Sequence, residues 1–89
     1  MRSRRGWLWD DWNIDHISQH GVAPFEAEEV GNHPRYVERW RDRYLAWGST
    51  AEGRFLLVVY VHRREGRYVI SARGMSQAEK RRVRRLSGR

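Results

Sequence analysis

This sequence predicts an α+β fold, and three observations carry the prediction. Before Pro34 the apolar residues recur at helical spacing, whereas from Arg35 onward they alternate as in strands. Near the end, Ser76 stands three residues before Glu79 and opens a basic amphipathic stretch. The architecture expected is two short N-terminal helices, a four-stranded antiparallel sheet and a C-terminal basic helix. Residues 7–10 (WLWD) are expected to add a short strand or an extended lead-in.

Taken in order, Asp11 or Asn13 can cap a helix over roughly 13–20, with Ile14 and Ile17 as its apolar side. Gly21 supplies a left-handed stop. Pro24 suits the first turn of a second helix running to about Val30, with Phe25, Ala27 and Val30 as packing candidates. The acids at 26, 28 and 29 sit where a helix dipole favours negative charge. Gly31, Asn32 and Pro34 are expected to break the chain.

Four strands follow as RYVERW, RYLAW, RFLLVVYVH and RYVISAR. Their connections are Arg41-Asp42, Ser49 to Gly53, and Arg64 to Gly66, short enough for consecutive antiparallel hairpins. The third has apolar residues on both faces, which suggests a central position. In MSQAEKRRVRRL, Met75, Ala78, Val83 and Leu86 share an arc that can dock on the sheet. Lys80, Arg81, Arg84 and Arg85 point outward, while Glu79 and Arg82 fall inside the arc. Eighty-nine residues are expected to form one domain over 1–89, with 1–6 and 87–89 frayed.

Composition narrows the function classes. There is no cysteine, so disulfide frameworks and thiolate metal sites are out. The longest apolar run, Phe55 to Val61, is too short to span a bilayer, and no apolar signal core follows the basic Met1 to Arg5. A soluble cytoplasmic protein without a membrane partner is expected. Between Gly6 and Pro34 there are six acids and no Lys or Arg; elsewhere all 18 basic residues meet five acids, a balance of +13. Such asymmetry attracts polyanions, of which RNA and DNA are the commonest in a cell. Solubility, or an acidic protein partner, would also account for it.

Candidate chemistry is limited to a few groups. His16 and His20 share a helix face at the spacing of a two-histidine metal site, but Ile17 stands where a zinc-protease motif needs glutamate. No metal ligand set and no cofactor are therefore expected. His20 beside the helix end could instead cap carbonyls. Arg35, Arg43, Arg54, Arg67 and Arg73 mark strand ends and could each clamp a phosphate with a bidentate fork. Alternating Arg with Tyr or Trp also suits single-stranded RNA, since rings stack bases while cations hold the backbone; the same arginines on edge strands could simply prevent aggregation. Tyr60 and the basic helix residues Lys80, Arg81, Arg84 and Arg85 complete the nucleic-acid candidates. His, Glu, Tyr and Arg suffice for metal-free RNA cleavage.

The order NIDHISQHGV, EAEEV, RYLAWGSTAEGRFLLVVY, YVISARGMSQAEK resembles the BrnT-type toxins of bacterial type II toxin–antitoxin modules. The resemblance covers about residues 9–86. It matches the family's His-Gly-Val at His20, Gly21 and Val22, its Gly-Arg at Gly53 and Arg54, its Ser-Ala-Arg at Ser71, Ala72 and Arg73, and its helical Glu at Glu79. Relatives often carry a charged residue after that Arg and a lysine before the His-Gly, where this chain has Gly74 and Gln19. The resemblance implies a small endoribonuclease of RelE-like fold, acting on RNA by acid–base chemistry. It also implies a cognate antitoxin of the ribbon-helix-helix DNA-binding type, and allows a dimer within the toxin–antitoxin complex. Arg73 and Arg54 are then the expected phosphate clamps, with His20 and Glu79 as proton-transfer or orienting groups. A non-catalytic RNA- or DNA-binding module is the alternative.

Overall fold

The computed structural model describes residues 2–88. Its elements are β1 (Arg2–Arg4), β2 (Trp7–Trp9), α1 (Asp11–Ser18), α2 (Pro24–Asn32), β3 (Tyr36–Trp40), β4 (Arg43–Ser49), β5 (Phe55–Arg63), β6 (Gly66–Gly74) and α3 (Gln77–Ser87). The α+β class, the two early helices, the four later strands and the closing helix are all present. The sheet itself differs from expectation: it has six strands in the order β1-β2-β6-β5-β4-β3, and it is mixed. β2 lies parallel to β6, with Trp7 opposite Arg67 and Leu8 opposite Tyr68. All other neighbours are antiparallel. The parallel pairing spans most of the chain in sequence, so no local turn signal announces it. β2 is also buried at each of its three residues, which hides the alternation of a half-exposed strand. Arg2–Arg4, where no element was expected, pairs antiparallel with β2; residues 1 and 89 of the termini expected to fray lie outside the described residues.

The cap of α1 is Asp10, not Asp11 or Asn13. Its carboxylate accepts from Asn13 N at 3.0 Å while Asn13 Oδ1 accepts from Asp10 N at 2.8 Å, a closed capping box. Gly21, at φ +71°, ends the turn as expected, and Val22 N reaches back to Ile17 O. Gly31 does not break α2, which continues to Asn32. Its lack of a side chain is used in packing: a Cβ there would lie 2.3 Å from two carbons of the Trp7 ring.

The larger core lies between the sheet and α1/α2, where Trp7, Ile17, Ala27 and Val30 meet Leu56, Val58, Val69 and Ala72. A smaller core on the other face places Val83 of α3 on Trp47 and Leu57, with Tyr36 and Met75 around them. The docking arc of α3 is narrower than expected, since Ala78 and Leu86 are exposed and Val83 alone of the helix is buried. Arg82 fills the remaining contact, its guanidinium lying over the Trp47 ring and bonded to Glu38. Among the described residues no helix is long and apolar enough to cross a membrane.

Asn13 is the polar residue on which this packing turns. It is fully buried, and Nδ2 donates to Leu8 O at 3.0 Å and Val69 O at 3.1 Å, tying α1 to the parallel β2–β6 pair. Asn13→Ala removes the cap partner and strands two buried carbonyls, so urea denaturation should show a loss of about 3 kcal/mol.

Candidate nucleic-acid interface

Two groups of arginines stand out. Arg54, Arg73 and Arg82 each have a carboxylate. Arg73 Nη1 and Nη2 grip Glu79 Oε1 and Oε2 at 2.9 and 2.8 Å, and Nη1 also reaches Gly74 O. Glu79 closes the cap of α3 as well, since Ser76 N donates to Oε1 and Ser76 Oγ accepts from Glu79 N. The Arg73 hydrogen bond, opposed by burial and aided by Ser76, holds the Glu79 carboxyl at about 2. The same bond pushes Arg73 up. A carboxylate held so low is ionised at neutral pH and is a weak base, so its geometry is that of an orienting group.

Arg54 Nη1 bonds both oxygens of Glu26 at 2.8 Å and Gly21 O at 3.0 Å. Burial works to raise Glu26, but the Ala23 N–H and Arg54 outweigh it and leave the carboxyl below its ordinary value. Arg73 stands opposite Leu57, on the α3 face of the sheet, whereas Arg54 reaches α2 on the other face. The two expected clamps are thus on opposite sides. His20 is exposed beside Gly21, edge-on to His16 at 6.0 Å, and His16 stacks on Trp12 at 4.7 Å. The structure therefore brings His20 toward Arg54 and Arg73 to Glu79, without bringing the four together.

The second population gathers at one end of the sheet. The β3–β4 turn, the β5–β6 turn and the Arg5-Gly6 turn all lie there, as the pairings Trp40–Arg43, Arg43–Val61, Arg63–Gly66 and Trp7–Arg67 require. Arg39, Arg41, Arg43, Arg63, Arg64 and Arg67 share this end with Asp42 and Glu65, Arg39 and Arg67 on the α1/α2 face and Arg43 and Arg63 on the α3 face, and among the described residues none of the six forms an ion pair. Four are held by rings instead: Arg39 over Tyr44 at 5.4 Å, Arg41 over Trp40 at 4.8 Å, Arg63 over Tyr68 at 3.8 Å and Arg67 over Trp7 at 3.9 Å. A ring orients a guanidinium without neutralising it, which leaves its fork to a phosphate.

Of the other candidates, Arg43, Arg81, Arg84 and Arg85 are exposed. Lys80 and Arg84 lie over the Phe55 ring at 5.8 and 5.0 Å. Tyr60 is buried between Trp7 and Tyr44, so it supports the surface from beneath. The sequence pattern placed Arg39 and Tyr44 among the alternating Arg/aromatic pairs but did not single out His62. The signal was available, because counting back from the Arg64–Gly66 turn sets His62 directly across from Arg67. Different in character is a groove of about 340 Å³ beside the exposed Phe25, where Glu26, Glu28, Glu29 and Glu52 line the walls together with His33 and Arg5. Among the described residues no group of three or more His, Asp or Glu is placed to hold a metal ion.

A basic, ring-lined end on a small α+β domain is one half of the identification. The other is that residues 9–79 match the family model described as ribonuclease toxin, BrnT, of type II toxin–antitoxin system. The chain belongs to the BrnT family. Among curated proteins no relative matches it. Membership implies RNA as substrate and an antitoxin as partner. The match runs from the end of β2 to Glu79, so it includes the arginine end except the Arg5-Gly6 turn and Trp7, whose ring holds Arg67, and it stops before the basic face of α3.

The Arg73–Glu79 pair makes this BrnT-family toxin acid-sensitive in a defined way. Glu79 is depressed from 4.5 to about 2 on folding, so its contribution is complete above about pH 5 and disappears as pH falls toward 2. Over that window wild type should lose about 2 kcal/mol more stability than Glu79→Gln, measured by chemical denaturation at each pH.

Proposed function

We propose that this toxin is a metal-independent endoribonuclease that cleaves RNA by general acid–base chemistry. The observation that carries the reading is the arginine end of the sheet, where cations held by aromatic rings and free of carboxylates offer phosphate sites beside stacking surfaces. In such a site a base takes the 2′-hydroxyl proton, the 2′-oxygen attacks phosphorus, and guanidinium groups stabilise the charge that develops on the phosphoryl oxygens. Arg73, oriented by Glu79, and Arg54, oriented by Glu26, give further phosphate contacts in this reading, and the basic face of α3 extends the attraction. The antitoxin is read as the ribbon-helix-helix DNA-binding kind, acting with the toxin in the cytoplasm, with a dimer within the toxin–antitoxin complex.

A second reading, RNA or DNA binding without cleavage, is favoured by one observation. Arg73 holds both carboxylate oxygens of Glu79 and keeps its carboxyl at about 2, which makes it a weak base. The purified toxin incubated with RNA and excess chelator separates the two: cleavage products support the enzyme, and intact RNA with strongly salt-dependent binding supports the module. Under either reading Arg43→Ala, an exposed and unpaired position, should weaken single-stranded RNA binding. The slope of log affinity against log salt should fall by about 0.7, with thermal stability unchanged.

A further inference from the structure

The arginine end contains one histidine, and its surroundings differ from those of the other three. His62, exposed near the end of β5, sits edge-on to Tyr44 at 4.8 Å and to Tyr60 at 5.8 Å. Tyr44 and Tyr60 stack at 5.5 Å, and Tyr60 in turn meets Trp7 edge-on at 5.1 Å. His62 and Arg67 are direct partners across the β5–β6 ladder, so their side chains leave the same face side by side. Arg67 is clamped from below by the Trp7 ring and at the side by Asn32 Oδ1. Arg39 covers Tyr44 from the neighbouring strand pair. Among the described residues neither imidazole nitrogen of His62 has a hydrogen-bond partner, which leaves both for an incoming group.

The other histidines lack this setting. His16 and His20 share α1 and its end with Asp11 and Asp15, and His33 borders the glutamate-lined groove. None of the three lies on a strand, so none has an arginine as its direct ladder partner, as His62 has in Arg67.

We infer that His62 is the proton-transfer residue of RNA cleavage, with Arg67 holding the scissile phosphate and Tyr44 flanking the reacting nucleotide; this rests on the ribonuclease reading above. The imidazole takes the 2′-hydroxyl proton as the 2′-oxygen bonds to phosphorus. The bond from phosphorus to the 5′-oxygen breaks, and the departing oxygen takes a proton from water, which reaches this exposed site freely. The imidazolium then returns its proton to solvent. The products are a 2′,3′-cyclic phosphate and a free 5′-hydroxyl, with no change of oxidation state and no co-reactant. Arg67 neutralises charge on the non-bridging oxygens, and its ring clamp means that little reorganisation is needed when the phosphate arrives.

The test uses the full chain, a mixed-sequence single-stranded RNA and the same sequence as DNA. His62→Gln should slow RNA cleavage by about a hundredfold or more. Its affinity for the uncleavable DNA and its melting temperature should stay at wild-type values, since the replaced ring is exposed. His33→Gln should cleave as wild type does. Cleavage by His62→Gln at the wild-type rate overturns this inference and leaves the ribonuclease reading standing. Parallel loss of DNA affinity and cleavage also overturns it, making His62 a binding residue only. A wild-type protein that leaves RNA whole overturns both.

Discussion

The placement of Arg67, and of the Tyr60 and Asn32 contacts around it, depends on how one indole is buried. Trp7 is fully enclosed, and it can sit where it does because Gly31 of α2 has no side chain to meet it. Its ring edge packs on Tyr60 of β5, its Nε1 donates to Asn32 at the end of α2, and its face carries the guanidinium of Arg67. The residue therefore joins the N-terminal strand, the second helix, the central strand and the working surface. Close packing lets a shift at any of these propagate to the others, because the interior has no slack to absorb it. Stability and site geometry share this contact.

Two devices for holding an arginine are used in one small domain, and they have different consequences. Where a guanidinium fixes the architecture it is given a carboxylate: Arg54 pins the α1–α2 loop to the start of β5, Arg73 pins the start of α3, and Arg82 pins α3 to β3. Where the charge must remain available it is given a ring. A half-exposed Arg–Glu pair is close to neutral when seen from outside, and any phosphate must displace a carboxylate already in place. A ring-held arginine keeps its full charge and loses conformational freedom before ligand arrives. On this physical ground Arg39, Arg41, Arg63 and Arg67 outrank Arg54 and Arg73 as phosphate ligands, although Arg54 and Arg73 lie in the motifs that most resemble the family.

That ranking explains how far the sequence could be read. Helix starts and stops were legible because they are local chemistry: Ser76 and Glu79 close a capping box, Pro24 opens α2, and Gly21 adopts a positive φ. The hairpins were legible from their short turns. The parallel β2–β6 pairing was not, since nothing near Trp7 or Arg67 encodes a partner so distant in the chain. The role of Gly31 was invisible for the same reason: a glycine followed by Asn and Pro reads as a stop until the indole it accommodates is known. In the candidate site, types were legible and groupings were not. Arginine next to tyrosine was evident along the strands, but whether each arginine faces a ring or a carboxylate is decided by neighbours on other strands and helices. Glu79 illustrates the cost, because the same capping geometry that made it conspicuous holds it ionised.

The uneven charge then has a directional meaning. A net charge of +7 draws RNA from any side, but six of the acids lie between Gly6 and Pro34, while six arginines that form no ion pair among the described residues share one end of the sheet. Charge distributed so unevenly favours the approach of a phosphate backbone to the basic parts of the surface over the acidic α1–α2 segment. The basic face of α3, beyond the part of the chain that matches the family model, adds to the attraction without supplying a proton carrier. Long-range attraction of this kind raises the rate of encounter and falls with salt, while cleavage depends on short contacts at a single phosphate. In the proposed reading the two contributions rest largely on different residues: many exposed arginines for capture, and the few groups around Tyr44, His62 and Arg67 for the chemistry.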